Sequence, residues 1–121
     1  MTIRNFSLGL AGLILMLAWP ILASAHVHME KSIPENNAHL TVAPKTVQIW
    51  FSGKIAAEWS KIQVTNADGK RMDTGDVTND GDPKFLSVKL QELPAGKYDV
   101  ELNVISGDGH RVKGSFSFTV E

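Results

Sequence analysis

The sequence contains no cysteine among its 121 residues. Disulfide bonds, thiolate ligands for zinc or Cu(I), and a cysteine nucleophile are therefore excluded. Positive and negative side chains are nearly equal in number, which gives a formal net charge of −1. The chain therefore lacks the excess positive charge that attracts nucleic acids or anionic membrane surfaces. A chain of this length has room for one domain, which an apolar core alone must stabilise.

Motifs for catalysis and nucleotide binding are also missing. The sequence has no Gly-x-Ser-x-Gly turn, and no glycine-rich loop precedes a helical segment. Methionine is scarce, since only Met29 and Met72 follow the first 25 residues, and a thioether site for Cu(I) needs several sulfurs together. We therefore expect a binding protein, not an enzyme, and no Cu(I) site built from methionines.

The first 25 residues have the layout of a cleavable secretory signal peptide. Arg4 gives a positive start, residues 8–18 form an apolar run, and residues 23–25 read Ala-Ser-Ala, as small-residue cleavage sites do. A membrane anchor is the alternative, but the run is short, a Trp-Pro pair follows it, and no basic stop-transfer cluster is present. We expect cleavage after Ala25, leaving residues 26–121 as an exported domain without a membrane anchor.

The rest of the sequence reads as short β-strands separated by turns. Alternation of apolar and polar residues predicts strands at residues 46–51, 61–65, 85–90, 97–104 and 112–120, and an irregular first strand within residues 29–40, broken by Pro34. A short turn near residues 55–59 is the one helical possibility after residue 25. Strands with turns about every ten residues predict an all-β, immunoglobulin-like antiparallel β-sandwich.

Several residues carry separate expectations. Residues 71–84 are polar and rich in Asp, Asn and Gly, which predicts a loop outside the core that contains Met72. Trp50 is out of phase with its buried strand face, so it should cover the other side of that strand. We expect Trp59 to be a core or lid residue, and His39 to be a solvated loop residue.

The positions of two histidines indicate a metal-binding site. Cleavage after Ala25 would expose an α-amine on His26, whose amine and imidazole nitrogens can bind one metal in a single chelate ring. An α-amine ordinarily has a pKa of about 7.7–8.0 and an imidazole about 6.5, so both can be deprotonated near neutral pH. Asp108 and His110 lie in the turn Ser-Gly-Asp-Gly-His at residues 106–110. Three nitrogens and one carboxylate oxygen suit one Cu(II) ion in tetragonal geometry.

The turn and the N-terminus each allow a second interpretation. An Asp-Gly-His sequence is often turn chemistry alone, because Asp and Gly favour turns for backbone reasons. In addition, His28 would be the third residue after cleavage, and such an N-terminus binds Cu(II) or Ni(II) through the amine, two deprotonated amides and the His28 imidazole without any fold. We favour the folded site because it also accounts for Asp108 and His110, with His28 as a competing, outer or hydrogen-bonding residue.

With these residues in place, the chain resembles the CopC family of periplasmic copper-binding proteins over essentially all of residues 26–121. The resemblance is carried by these segments: His-Val-His at 26–28, Ser-Ile-Pro at 32–34, Val-Ala-Pro at 42–44, Phe-Ser at 51–52, Leu-Pro-Ala-Gly-Lys-Tyr-Asp-Val at 93–100, and Ser-Gly-Asp-Gly-His at 106–110 before Gly-Ser-Phe-Ser-Phe at 114–118. The combination of the N-terminal histidine with the Asp-Gly-His turn is the most specific element.

The resemblance implies an immunoglobulin-like sandwich or Greek-key barrel of about seven strands, with a Cu(II) site at His26, Asp108 and His110. It implies a periplasmic carrier or buffer in copper resistance or uptake, which we expect to be a monomer. It also implies a separate inner-membrane partner of the CopD type. One departure stands out: Gly53 replaces a Glu that many relatives carry near the copper, so a nearby carboxylate is missing.

Two further functions compete with that of a copper carrier. One is a small copper oxidase that uses the N-terminal histidine as polysaccharide monooxygenases do, although 96 residues with one tyrosine and two tryptophans provide little substrate surface. The second is an immunoglobulin-like structural module whose histidines are incidental. Copper-dependent oxidation of polysaccharide would favour the oxidase, and failure to retain Cu(II) would favour the structural module.

Overall fold

The computed structural model describes residues 26–121, so the signal-peptide prediction for residues 1–25 lies outside the described residues. The eight strands are β1 (Met29–Ile33), β2 (Ala38–Leu40), β3 (Thr46–Phe51), β4 (Lys61–Thr65), β5 (Asp73–Thr78), β6 (Phe85–Leu90), β7 (Gly96–Ile105) and β8 (Arg111–Val120). A short 3-10 turn at Ala57–Trp59 lies between β3 and β4, inside the segment predicted as a helical turn. No helix within the described residues is long and apolar enough to cross a membrane.

The strands form two four-stranded sheets, ordered β1-β3-β6-β5 and β2-β8-β7-β4. Neighbouring strands are antiparallel, except that β2 runs parallel to β8. The predicted all-β sandwich is confirmed, with eight strands instead of about seven. The irregular first strand is divided at Pro34, which has no N–H for a ladder, and its two halves join different sheets.

The core is built from the apolar faces that the alternation predicted. Buried side chains alternate along β3 (Val47, Ile49, Phe51), β7 (Tyr98, Val100, Leu102, Val104) and the second half of β8 (Phe116, Phe118, Val120). Burying each such side chain contributes about 1.5–3 kcal/mol relative to exposure. Trp50 covers the other side of β3, as expected, with its ring 4.9 Å from the ring of Phe85.

The predicted loop at residues 71–84 is wrong over its first half. Residues Asp73–Thr78 form β5, an edge strand paired with β6, and both Met72 and Asp73 are buried. The carboxylate of Asp73 accepts hydrogen bonds from the Arg71 side chain and from the backbone N–H of Val64. A polar segment is therefore buried because its polar groups have partners, which composition does not show.

One single-residue expectation fails and another holds only in part. Trp59 ends the 3-10 turn with 72% of its surface exposed, so it is neither a core residue nor a lid. His39 lies on β2 and not in a loop, although it is solvated as expected, with its Nδ1 3.6 Å from the Glu121 carboxylate. The pairing of β2 with residues 118–120 puts His39 at the end of β8 that is opposite the turn at residues 106–110.

Candidate metal site

The turn at residues 106–110 joins β7 to β8 and is organised by Ser106. The hydroxyl of Ser106 donates a hydrogen bond to Asp108 Oδ1 and accepts one from the backbone N–H of His110 at 3.1 Å. Ser106 is only 3% exposed. Gly109 has a φ of +91°, a conformation that glycine adopts without strain. A buried serine thus fixes a turn that presents Asp108 and His110 to solvent.

Asp108 and His110 form a close pair at the tip of this turn. His110 Nδ1 lies 3.1 Å from Asp108 Oδ1, and the two side chains are 69% and 56% exposed, respectively. The hydrogen bonds from Ser106 and then from His110 lower the pKa of Asp108 to about 2. The carboxylate is therefore ionised at any physiological pH, as a metal ligand must be.

His26 lies against the same turn. The ring centroids of His26 and His110 are 6.3 Å apart, and the rings are close to perpendicular at 84°. Two metal–nitrogen bonds of about 2.0–2.1 Å each, together with the ring radii, span a separation of this order. The two rings therefore lie at a separation compatible with binding to the same ion.

Residues that follow β3 hold the segment 26–28 in place. The backbone N–H of His28 donates to Ser52 Oγ at 3.0 Å, and the Ser52 N–H donates to the His28 carbonyl at 2.9 Å. A Cβ at Gly53 would lie only 2.9 Å from Val27 Cγ2, so the absence of a side chain there lets the segment pass closely. The space beside Gly53 is thus occupied by the apolar side chain of Val27.

The same connection also contacts the turn. The Lys54 carbonyl accepts a hydrogen bond from the Gly107 N–H at 2.8 Å, and Ile55 forms an isolated bridge with Ser106. Ala56 N–H donates to the Ile105 carbonyl at 2.8 Å. Residues 52–56 therefore bind segment 26–28 on one side and the turn on the other, which explains how His26 comes to lie beside His110.

The structure brings the predicted ligands together as pairs. His26 meets His110, and Asp108 meets His110. Within residues 26–121, no three His, Asp or Glu side chains are grouped closely enough to hold a metal ion by themselves. An α-amine on His26 is not a side chain and would be an additional donor. The sequence marks Ser106 and Ser52 only as parts of motifs that carry the resemblance. It does not show the contact of Ser52 with His28, which joins residues 24 positions apart.

Comparison with known proteins identifies the family. The CopC domain matches residues 29–121. This chain belongs to the CopC family. The resemblance seen in the sequence is therefore confirmed over nearly all of the described residues, including both strands that flank the Asp-Gly-His turn.

Relatives and solved structures agree with this assignment. Copper resistance protein C of Escherichia coli is 30% identical, and the match covers both chains completely. Copper transport protein CutJ of Bacillus subtilis is 34% identical over 89% of this chain, which spans only a fifth of the length of CutJ. The crystal structure of CopC from Methylosinus trichosporium OB3b is 31% identical with a TM-score of 0.75, covering 79% of this chain and 94% of that one.

Proposed function

We propose that this chain is an exported periplasmic protein that binds one Cu(II) ion and carries or buffers it in copper resistance or uptake. Membership of the CopC family and the copper transport and resistance proteins among its relatives support this proposal. The absence of cysteine and the packing of Met29 and Met72 against the core favour Cu(II) over Cu(I), because soft sulfur ligands select Cu(I).

The proposed ligands are the amine and imidazole of His26, the imidazole of His110 and the carboxylate of Asp108. The observation that carries this assignment is the approach of the His26 and His110 rings, from opposite ends of the domain sequence, beside a carboxylate held ionised. The assignment requires cleavage after Ala25, which would free the His26 amine. Nitrogen and carboxylate ligands in this number suit Cu(II), which also has the highest affinity among the first-row divalent ions.

The exposure of the site suits a carrier. Asp108 and His110 project from a turn into solvent, so a partner can reach the ion without unfolding the domain. We propose that the mature chain acts as a monomer and exchanges copper with a membrane transporter of the CopD type.

Competition with a moderate chelator tests the proposed function. A chain that begins at His26 should retain one Cu(II) per molecule. His110→Ala should lower the affinity by at least about tenfold, because losing even a hydrogen-bond partner of a metal ligand typically costs that much. His39→Ala is the matched control, because His39 is similarly exposed but lies at the other end of β8. Affinity should fall between pH 7 and pH 5, because protons compete with Cu(II) for nitrogen ligands.

Two experiments, the chelator competition and an oxidation assay, decide between the alternatives. A mature chain that loses Cu(II) to the chelator, or binds it equally at both pH values, would contradict the proposal and leave a structural module. The oxidase alternative is tested with copper-loaded protein, reductant and peroxide. If the protein is a carrier, it should oxidise polysaccharide no faster than free copper does. Oxidation well above that background would contradict the assignment of a carrier.

A further inference from the structure

Two copper sites compete for the mature N-terminus if the proposed function holds, and this inference rests on that function. The folded site uses His26 together with Asp108 and His110. The peptide site uses the same His26 amine, the backbone nitrogens of Val27 and His28, and the His28 imidazole. Both cannot form at once, so some feature of the protein must decide which of them takes the ion.

Ser52 forms hydrogen bonds with both backbone polar groups of His28, its N–H and its carbonyl. Its N–H donates to Ser52 Oγ at 3.0 Å, and its carbonyl accepts from the Ser52 N–H at 2.9 Å. These bonds extend the antiparallel pairing of β1 with β3 beyond the Met29–Phe51 pair. The backbone nitrogen of His28 cannot donate to Ser52 and bind copper at the same time.

The neighbouring residue is fixed as well. Val27 is partly buried and packs against the core, and its Cγ2 occupies the space that a side chain at position 53 would need. The peptide site needs residues 26–28 to wrap around the metal in one plane, and the contact of Val27 opposes such a rearrangement. Residues 27 and 28 are therefore both anchored by contacts with Ser52 and Gly53, and His26 lies beside His110.

We propose that Ser52 is a specificity-determining residue that directs Cu(II) to the folded site. Its hydroxyl occupies the His28 nitrogen, which is the donor that the peptide site requires. Its backbone N–H holds the same residue from the carbonyl side. Ser52 is a positioning residue, since it acts on the ligands through the path of the chain and is not itself a ligand.

The test uses Cu(II) and electron paramagnetic resonance of mature chain that begins at His26. Wild type and His28→Ala should give the same spectrum, with three nitrogens. Ser52→Ala should add a planar four-nitrogen signal and weaken the folded site by about fivefold, the effect of one hydrogen bond. Ser52→Thr, which keeps the hydroxyl, should restore the wild-type spectrum. The double variant Ser52→Ala with His28→Ala should lack the four-nitrogen signal.

Melting of the copper-free variants separates positioning from folding. A melting temperature for Ser52→Ala that falls by no more than the loss of one hydrogen bond predicts, roughly 4–8 °C, together with an altered spectrum, supports the proposal. Gly53→Ala, which pushes on Val27 and leaves the serine in place, should shift the spectrum in the same direction. A Ser52→Ala spectrum identical to wild type overturns the inference while leaving the folded site intact. A four-nitrogen spectrum in wild type, lost in His28→Ala, would instead overturn the proposed function.

Discussion

The buried carboxylate of Asp73 joins the two sheets at one edge of the sandwich, and removing its charge should destabilise the fold. Asp73 lies on β5 of the first sheet, and its Oδ1 accepts the N–H of Val64, on β4 of the second sheet, at 2.9 Å. Arg71 donates to both carboxylate oxygens, each at 2.7 Å. Asp73→Asn keeps the shape and an acceptor for Val64 but removes the charged half of the pair with Arg71.

The expected loss in the free energy of unfolding depends on how exposed Arg71, the partner of Asp73, is. Breaking a fully buried ion pair costs about 3–5 kcal/mol, whereas an exposed pair is worth about 0–1 kcal/mol. The Arg71 side chain is 47% exposed, so we expect Asp73→Asn to lower the free energy of unfolding by about 1–2 kcal/mol. Asp73→Ala also leaves the Val64 N–H without its acceptor, and we expect a loss of about 3 kcal/mol. One kcal/mol corresponds to roughly 4–8 °C in a domain of this size.

The pH dependence gives the sharper test. Burial alone would raise the pKa of Asp73, but the hydrogen bonds from Arg71 and Val64 outweigh it and hold the pKa below its ordinary value. A carboxyl with a depressed folded pKa stabilises fully above its unfolded pKa of about 3.9 and loses this contribution as pH falls through the folded pKa. The difference between wild type and Asp73→Asn should therefore be complete at pH 7 and shrink below about pH 4.

Urea unfolding at a series of pH values measures this difference. Asp76→Asn is the matched control, an exposed carboxylate on the same strand, and should change the free energy of unfolding by less than about 0.5 kcal/mol. An Asp73→Asn variant as stable as that control at pH 7 would refute the reasoning. So would a difference from wild type that stays constant from pH 7 to pH 2.

Two further predictions concern the turn and the core. Ser106→Ala should raise the pKa of Asp108 from about 2 toward its ordinary value, because it removes the hydrogen bond that contributes most to the shift. An NMR titration of the Asp108 carboxyl that shows no change in pKa would contradict this cause. Phe118→Ala should lower the free energy of unfolding by about 3–5 kcal/mol, because Phe118 is 1% exposed and stacks on Tyr98. A loss below about 1 kcal/mol in chemical unfolding would contradict its central place in the core.

The sequence predicted those parts of the fold that depend on neighbours along the chain. Side chains alternate across a strand whatever the strand pairs with, so β3, β7 and β8 could be located to within a residue or two. The strand β5 could not, because its burial depends on Arg71, Val64 and the pairing with β6. The exposure of Trp59 was missed for a related reason: an apolar residue in a turn carries no signal of which way it faces.

The candidate site likewise has a part that the sequence predicts, the ligand residues, and a part that it does not, the contacts that bring them together. His26, Asp108 and His110 were identified from residue type and position, since few residue types bind Cu(II) and the chain has only four histidines. The contacts that bring them together come from residues 52–56, which hydrogen-bond to segment 26–28 and to the turn. Such long-range contacts leave no periodic pattern in a single sequence, so Ser52 was not predicted.

The proposed copper site depends on joint binding by His26 and by the turn that carries Asp108 and His110. The most direct measurement is electron paramagnetic resonance of Cu(II) in a chain that begins at His26, compared with His110→Ala, Asp108→Ala and a chain with one extra residue before His26. We predict that all three changes weaken binding and alter the spectrum. If only the extra residue has an effect, copper lies on the peptide of residues 26–28, and the joint site is contradicted.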